Sequence, residues 1–149
     1  MTNSLSSTDN LQAFRGYQRD REALLKTGIN IFEYKPDAPV RYKLMTGALQ
    51  KKVNFSPIFG LHAKTMVIDG KITVIGTFNL DPRSANLNTE CVAIIYSEKI
   101  AQEVLKEIEE ELKPENCWET TVNFNPDKEA GVKKNLKTRA MKVVPKGIL

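Results

Sequence analysis

The sequence predicts an α/β domain, and three features carry that prediction. Two apolar runs, residues 61–68 and 71–78, flank Asp69-Gly70, the strongest short-range signal for a β-hairpin. Residues 89–96 form a third strand-like run, apolar on both faces, which predicts an interior strand. Ser97 then caps a helix predicted over 98–113. Ile100, Val104, Ile108 and Leu112 line one face of it, and Pro114 stops it.

The N-terminal part follows the same alternation. Thr8 or Asp9 can cap a helix running to about Thr27, with Phe14, Tyr17, Leu24 and Leu25 as its apolar face and Gly28 at its stop. Residues 29–34 read as a strand, ended by Pro36 and Pro39. Residues 40–58 are poorly patterned. Lys43, Lys51 and Lys52 make them a surface loop bordering a site.

A length of 149 residues suits one domain, and 41% hydrophobic with 27% charged residues suits a soluble globular chain. No apolar run approaches the roughly 18 residues of a membrane span. The N-terminus lacks the basic and apolar regions of a signal peptide. Cys91 and Cys117 lack metal-site spacing and read as two reduced thiols. The net charge of +4 is uneven. Residues 123–149 hold seven Lys or Arg against Asp127 and Glu129, a net of +5, so residues 1–122 sum to −1. The chain thus divides into a body, 1–122, and a basic tail, 123–149, helical in part. Val132, Leu136, Ala140 and Val143 lie at helical spacing among its lysines. That helix could lie on anionic lipid or dock on the domain. With no Trp or Phe after Phe124 to anchor an apolar face, docking is favoured.

The chemistry concentrates in the hairpin. His62 is the one histidine of the chain, and Lys64, two residues on, shares its face on a strand. A two-residue Asp69-Gly70 turn would set His62 opposite Thr77 and Lys64 opposite Ile75. His62, Lys64, Thr77 and Asn79 would then share one face, with Asp69 on the other, serving the turn and a supporting polar contact. A lysine ammonium, a threonine hydroxyl and an asparagine amide suit a phosphate, and an imidazole can be nucleophile or acid/base. Taken singly, each of these residues has a plainer reading as a strand-end or solvated side chain. Their convergence on one patch is what raises the chemical reading.

At these residues the chain resembles the phospholipase D superfamily, whose signature (the HKD motif) is His-x-Lys, four residues, Asp, six residues, Gly-Ser/Thr-x-Asn. Here it reads His62, Lys64, Asp69, Gly76, Thr77 and Asn79. The flanking Thr2 to Asp9, Gly16-Tyr17, Arg21, Asn79 to Ser84 and Asn88-Thr89-Glu90 resemble the C-terminal half of bacterial cardiolipin synthase-like members. The similarity runs from about Thr2 to Trp118, with a fainter echo at Val143-Val144-Pro145. Departures are Thr77 in place of serine, Gly60 where serine is common, and few aromatic residues in the tail.

The resemblance implies a layered α-β-α sandwich with a mixed central sheet. It also implies phosphatidyl transfer or phosphodiester cleavage through a phosphohistidine, with Glu90 orienting the nucleophilic His62 and neither metal nor cofactor required. The implied substrate is a phospholipid such as phosphatidylglycerol. The implied location is cytoplasmic or peripheral at the inner membrane; it is the tail's own pattern of lysines and apolar residues that offers a membrane contact. A second histidine must protonate the leaving group, and this chain has only His62. Three completions remain: a homodimer, a partner N-terminal half, or a longer two-motif protein of which this is a fragment. The abrupt start favours a fragment or a split gene over the homodimer. A single-motif homodimeric nuclease is the competing reading. The −1 balance of the body disfavours it, because nucleic-acid binding draws on clustered positive charge. A non-catalytic remnant is the third.

Overall fold

The computed structural model describes residues 1–44, 60–79 and 82–140, apart from the side chains of Leu44, Pro82 and Arg83. Lys51, Lys52 and Val143-Val144-Pro145 lie outside the described residues, as do Leu80 and Asp81. The α/β class is as the pattern predicts, with the strands in two three-stranded sheets. The chain forms two compact units, residues 1–61 with 111–143 and residues 62–110 with 144–149.

In the first unit, β1 (Thr2–Asn3) runs parallel to β2 (Ile31–Tyr34), and β2 pairs antiparallel with β6 (Cys117–Thr120). Helix α1 (Leu11–Lys26) precedes β2. Its cap is Asn10, one or two residues later than expected: the Asn10 side chain accepts from Ala13 N–H at 3.1 Å. Thr8 instead accepts from the Asn10 N–H. After Pro39 the expected loop begins with one helical turn, α2 (Arg41–Leu44). One apolar cluster joins Tyr34, Ala38, Val40 and Cys117, with Phe32 and Leu61 against it. A second joins Leu5, Phe14 and Ala130, with Leu11 and Tyr17.

A buried polar network joins these elements. Arg21 binds Glu33 at 2.8 Å and Asp127 at 2.5 Å, and its guanidinium lies over the Tyr17 ring. Tyr17 and Thr120 hydroxyls also donate to the Glu33 carboxylate, at 2.9 and 3.1 Å. Burial alone would lower the Arg21 pKa, but hydrogen bonds to Asp127 and Glu33 outweigh it and hold the guanidinium charged. Burial first, then Glu33, pushes the Tyr17 phenol up, so it stays a donor. Cys117 is buried, which pushes its thiol up to about 12, whereas Cys91 is exposed; neither is in a disulfide.

The tail enters this unit through Asp127, the second residue of a short 3-10 turn (Pro126–Glu129). Helix α5 (Val132–Ala140) follows. Lys134 donates to the Ser6 carbonyl at 3.0 Å, and Asn135 to the carbonyls of Asp127 and Ala130.

In the second unit, β3 (Thr65–Ile68), β4 (Ile72–Gly76) and β5 (Val92–Tyr96) form an antiparallel sheet in that order. Helix α3 (Pro82–Asn86) lies between β4 and β5 in sequence. Helix α4 (Glu98–Glu111) follows, with Ser97 Oγ accepting from Ile100 N–H at 3.4 Å. Both Asp69 and Gly70 have positive φ, 51° and 63°, and Lys71 N–H donates to the Ile68 carbonyl, as a primed hairpin turn requires.

Two expectations are corrected here. The ladder pairs Ile68 with Ile72 and Thr65 with Ile75, so Lys71 belongs to the turn and the register is one residue longer than a two-residue hairpin gives. Lys64 therefore lies across from Gly76, whose N–H donates to the Lys64 carbonyl at 3.1 Å. Strand β5, expected inside, is an edge of this sheet. Its Ile94 is 55% exposed and its Tyr96 79%. An apolar run records that a face needs cover, and among the described residues nothing covers this one.

Candidate active site

The expected site residues lie on the hairpin end, the loop after β4 and the approach to β5, all within the second unit. His62 and Lys64 precede β3 and point together: the Lys64 ammonium lies 2.7 Å from His62 Nε2. An ammonium can only donate, so Nε2 is the acceptor and the proton of a neutral ring sits on Nδ1. The pair is open, with His62 exposed and Lys64 half-buried.

Thr77 follows the last ladder pair, Gly76 with Val92, so strand alternation no longer dictates where it points. Its N–H donates to the Cys91 carbonyl at 2.9 Å, and its hydroxyl accepts from Cys91 N–H at 3.0 Å. The same hydroxyl donates to Glu90 Oε2 at 2.6 Å. This close strand approach explains the glycine before Thr77: a Cβ on Gly76 would collide with the Cys91 carbonyl oxygen. Asn88 donates to the other Glu90 oxygen at 3.3 Å, and the Asn79 amide donates to Ser84 Oγ at 3.4 Å. Hydrogen bonds from Thr77 first and Ser84 second, then Asn88, with attraction from Lys64, hold the Glu90 carboxyl below the usual carboxylate range.

The structure thus forms two groups, a His62–Lys64 pair and a Thr77–Glu90–Asn88 cluster, coupled by the field of Lys64 on Glu90. Asn79 joins Ser84, and Asp69 stands apart at the turn. Glu90 is directed to Thr77, Ser84 and Asn88, so Asn79 meets the cluster through Ser84, while the partner of the His62 ring is Lys64. Sequence reasoning passed over Ser84 and Asn88 as parts of the site. Asn88 lies two residues before Glu90, the spacing that puts extended side chains on one side. Ser84, almost fully buried, sits in the short α3 helix that follows Asn79. A buried serine five residues from an exposed amide carries no periodic signal. Among the described residues, no group of three His, Cys, Asp or Glu is placed to hold a metal ion.

The α/β fold and a family model that matches most of the chain define a phospholipase D-like domain. The family described as "Cardiolipin synthase, PLD-like domain" matches residues 2–112, and the chain belongs to it. It is 42% identical over 102 residues to cardiolipin synthase C of Escherichia coli K12, covering 68% of this chain and 21% of that protein. It is 26% identical over 121 residues to cardiolipin synthase 1 of Bacillus cereus, covering 81% and 19%. An uncharacterized Helicobacter pylori protein is 38% identical over 104 residues, covering 70% and 19%. The chain spans about a fifth of the length of these curated relatives. No solved structure gives a significant match.

Proposed function

We propose that this chain is one half of a phosphodiesterase or phosphatidyltransferase site that acts on phospholipids through a phosphohistidine at His62. The observation that carries this reading is the open His62–Lys64 pair beside the Thr77–Glu90 cluster. The names of the cardiolipin synthase relatives support a phospholipid as substrate.

In this mechanism a phosphodiester places its non-bridging oxygens at Lys64, Thr77 and Asn79. Lys64 exchanges the ring nitrogen for a phosphate oxygen, which frees the Nε2 lone pair. Nε2 attacks phosphorus, the N–P bond forms, and the P–O bond to the leaving alkoxide breaks. A second histidine protonates that alkoxide. The same histidine then takes the proton of an acceptor alcohol or water, whose oxygen attacks phosphorus as the N–P bond breaks. Alcohol gives a new phosphodiester and water a phosphomonoester. Glu90 serves this cycle by anchoring Thr77 and, when phosphate takes the Thr77 hydroxyl, by turning to the Nδ1–H of His62.

The second histidine has to come from outside these 149 residues, from a partner half, a second copy or another part of a longer chain, since His62 is the only one in them. The uncovered side of the second sheet favours such pairing. Met66 and Ile68 of β3 share a face with Val92, Ile94 and Tyr96 of β5, all exposed, and by strand register Lys64 belongs to that face. The proposed body, 1–122, would carry the half-site and the tail would be accessory to it.

The test is incubation of the 149-residue chain with labelled phosphatidylglycerol and, separately, with single-stranded DNA, followed by mass spectrometry under mild alkali. An acid-labile phosphoryl adduct on His62 with the lipid, absent in His62→Ala, is expected. Equal inertness of both proteins, with a monomer in sedimentation equilibrium, would remove catalysis by the chain alone. Adduct formation with DNA in place of lipid would move the reading to a nuclease.

A further inference from the structure

We propose that the outward face of α5 is a docking surface for an anionic lipid bilayer. A surface helix of a globular protein ordinarily turns its apolar side inward. Here the sides are reversed. The inward contacts are polar: Thr138 is 1% exposed, while half-buried Lys134 and Asn135 bind the carbonyls of Ser6, Asp127 and Ala130. Val132 and Leu136, one helical turn apart and so side by side, are 84% and 68% exposed. The sequence expectation that this helix docks on the domain holds, but it docks through its polar side. The apolar pair is left for something else.

The charge pattern selects the occupant. Lys133 and Lys137 flank the apolar pair at the same four-residue spacing, and Arg139 is also exposed. No acidic residue lies within α5. Of the nearby carboxylates, Asp127 is engaged by Arg21, exposed Asp9 attracts the inward-facing Lys134, and Glu129 is exposed in opposition to the outward cations. A second copy would bring like charges together, and an apolar protein groove would strip water from the lysines. A nucleic acid would take the cations and leave Val132 and Leu136 without a role. An anionic bilayer suits both sets. The short apolar side chains enter the headgroup–acyl boundary while the flanking ammonium groups reach lipid phosphates.

Binding can be read without turnover, so this surface stands or falls apart from the phosphohistidine reading. The full chain is to be sedimented with phosphatidylcholine vesicles and with equimolar phosphatidylcholine–phosphatidylglycerol vesicles, at low and high salt. Expected is binding to the anionic vesicles only, weakened by salt. K133E/K137E should lower the partition coefficient by at least roughly tenfold, since each interfacial cation is worth about fivefold. Val132→Ser/Leu136→Ser should lower it severalfold with unchanged circular dichroism. Three results overturn the proposal: no binding to either vesicle, equal binding to neutral vesicles, or wild-type binding by both double variants. Tight binding to single-stranded DNA that only the lysine reversals abolish, with vesicle binding unaffected by either pair, assigns the surface to nucleic acid.

Discussion

The two units spend the same residue types in opposite ways. The first encloses its charges: Arg21, Glu33 and Asp127 are tied to one another beneath the surface, and Tyr34, Leu5 and Phe14 form apolar clusters around them. The second exposes its charges and its hydrocarbon alike, with His62 open and Ile94 and Tyr96 in solvent. The contrast teaches where each is finished. The first unit ties its central charges to one another, although Glu33 Oε2, Ser6 Oγ and nitrogens of Arg15 and Arg19 stay buried there without a hydrogen bond. The second leaves His62 and the apolar side chains of β5 open among the described residues.

Breaking the enclosed network should have the largest effect. Arg21→Ala leaves Glu33 charged and buried with its main counter-ion gone, which should cost about 3–5 kcal/mol in urea unfolding followed by Trp118 fluorescence. A loss under 1 kcal/mol would mean that the network is not what holds α1, β2 and the tail together. Next is Gly76→Ala, which forces β4 from the Cys91 carbonyl and should destabilise by about 1–3 kcal/mol. The amide shift of Thr77, which reports its bond to Cys91, should move with it.

Thr73 sharpens the comparison from the other side. It is fully buried in the open sheet and its hydroxyl has no hydrogen-bond partner. Thr73→Val keeps the shape and removes the orphan, so stability should rise by about 1 kcal/mol in the same titration. The smallest effect concerns acid. Glu90 is held below the usual carboxylate range, so its contribution is present above that range and is lost as pH falls through the lowered value. Carboxyl carbon shifts of Glu90 and the amide of Cys91 should titrate together there, and Thr77→Val should return Glu90 towards the ordinary range. Independent titration of the two signals would uncouple Thr77 from Glu90.

Much of the fold was legible because its signals are local. Asp69-Gly70 announces its turn by the two positive φ angles, and α4 announces itself by period and by Ser97. Register was not local. Whether Lys71 joins the turn or the strand changes no residue type, yet it moves every cross-strand partner by one. The site was legible as a set of residues and spacings, and less so as contacts. Thr77 and Glu90 meet only because Gly76 lets two strands close, and strand parity says nothing past the last ladder pair. Arg21 falls four residues from each of the apolar-face positions Tyr17 and Leu25. Only the distant Glu33 and Asp127 make a buried arginine tolerable there. In α5 the helical period was legible and the inward side was not, because periodicity cannot tell which stripe of a helix is inward.

The open edge of β5 has a practical consequence for anyone who makes this protein. An edge strand displaying Val92, Ile94 and Tyr96 offers backbone donors and acceptors to any passing strand, including those of identical molecules emerging from ribosomes. Expressed by itself, the chain should be soluble only at modest concentration and should yield ribbons or inclusion bodies as its titre climbs. Co-expression with whatever covers that edge should raise the soluble yield before any assay is run. A yield screen against fused or co-expressed halves is therefore an inexpensive test of the proposed pairing.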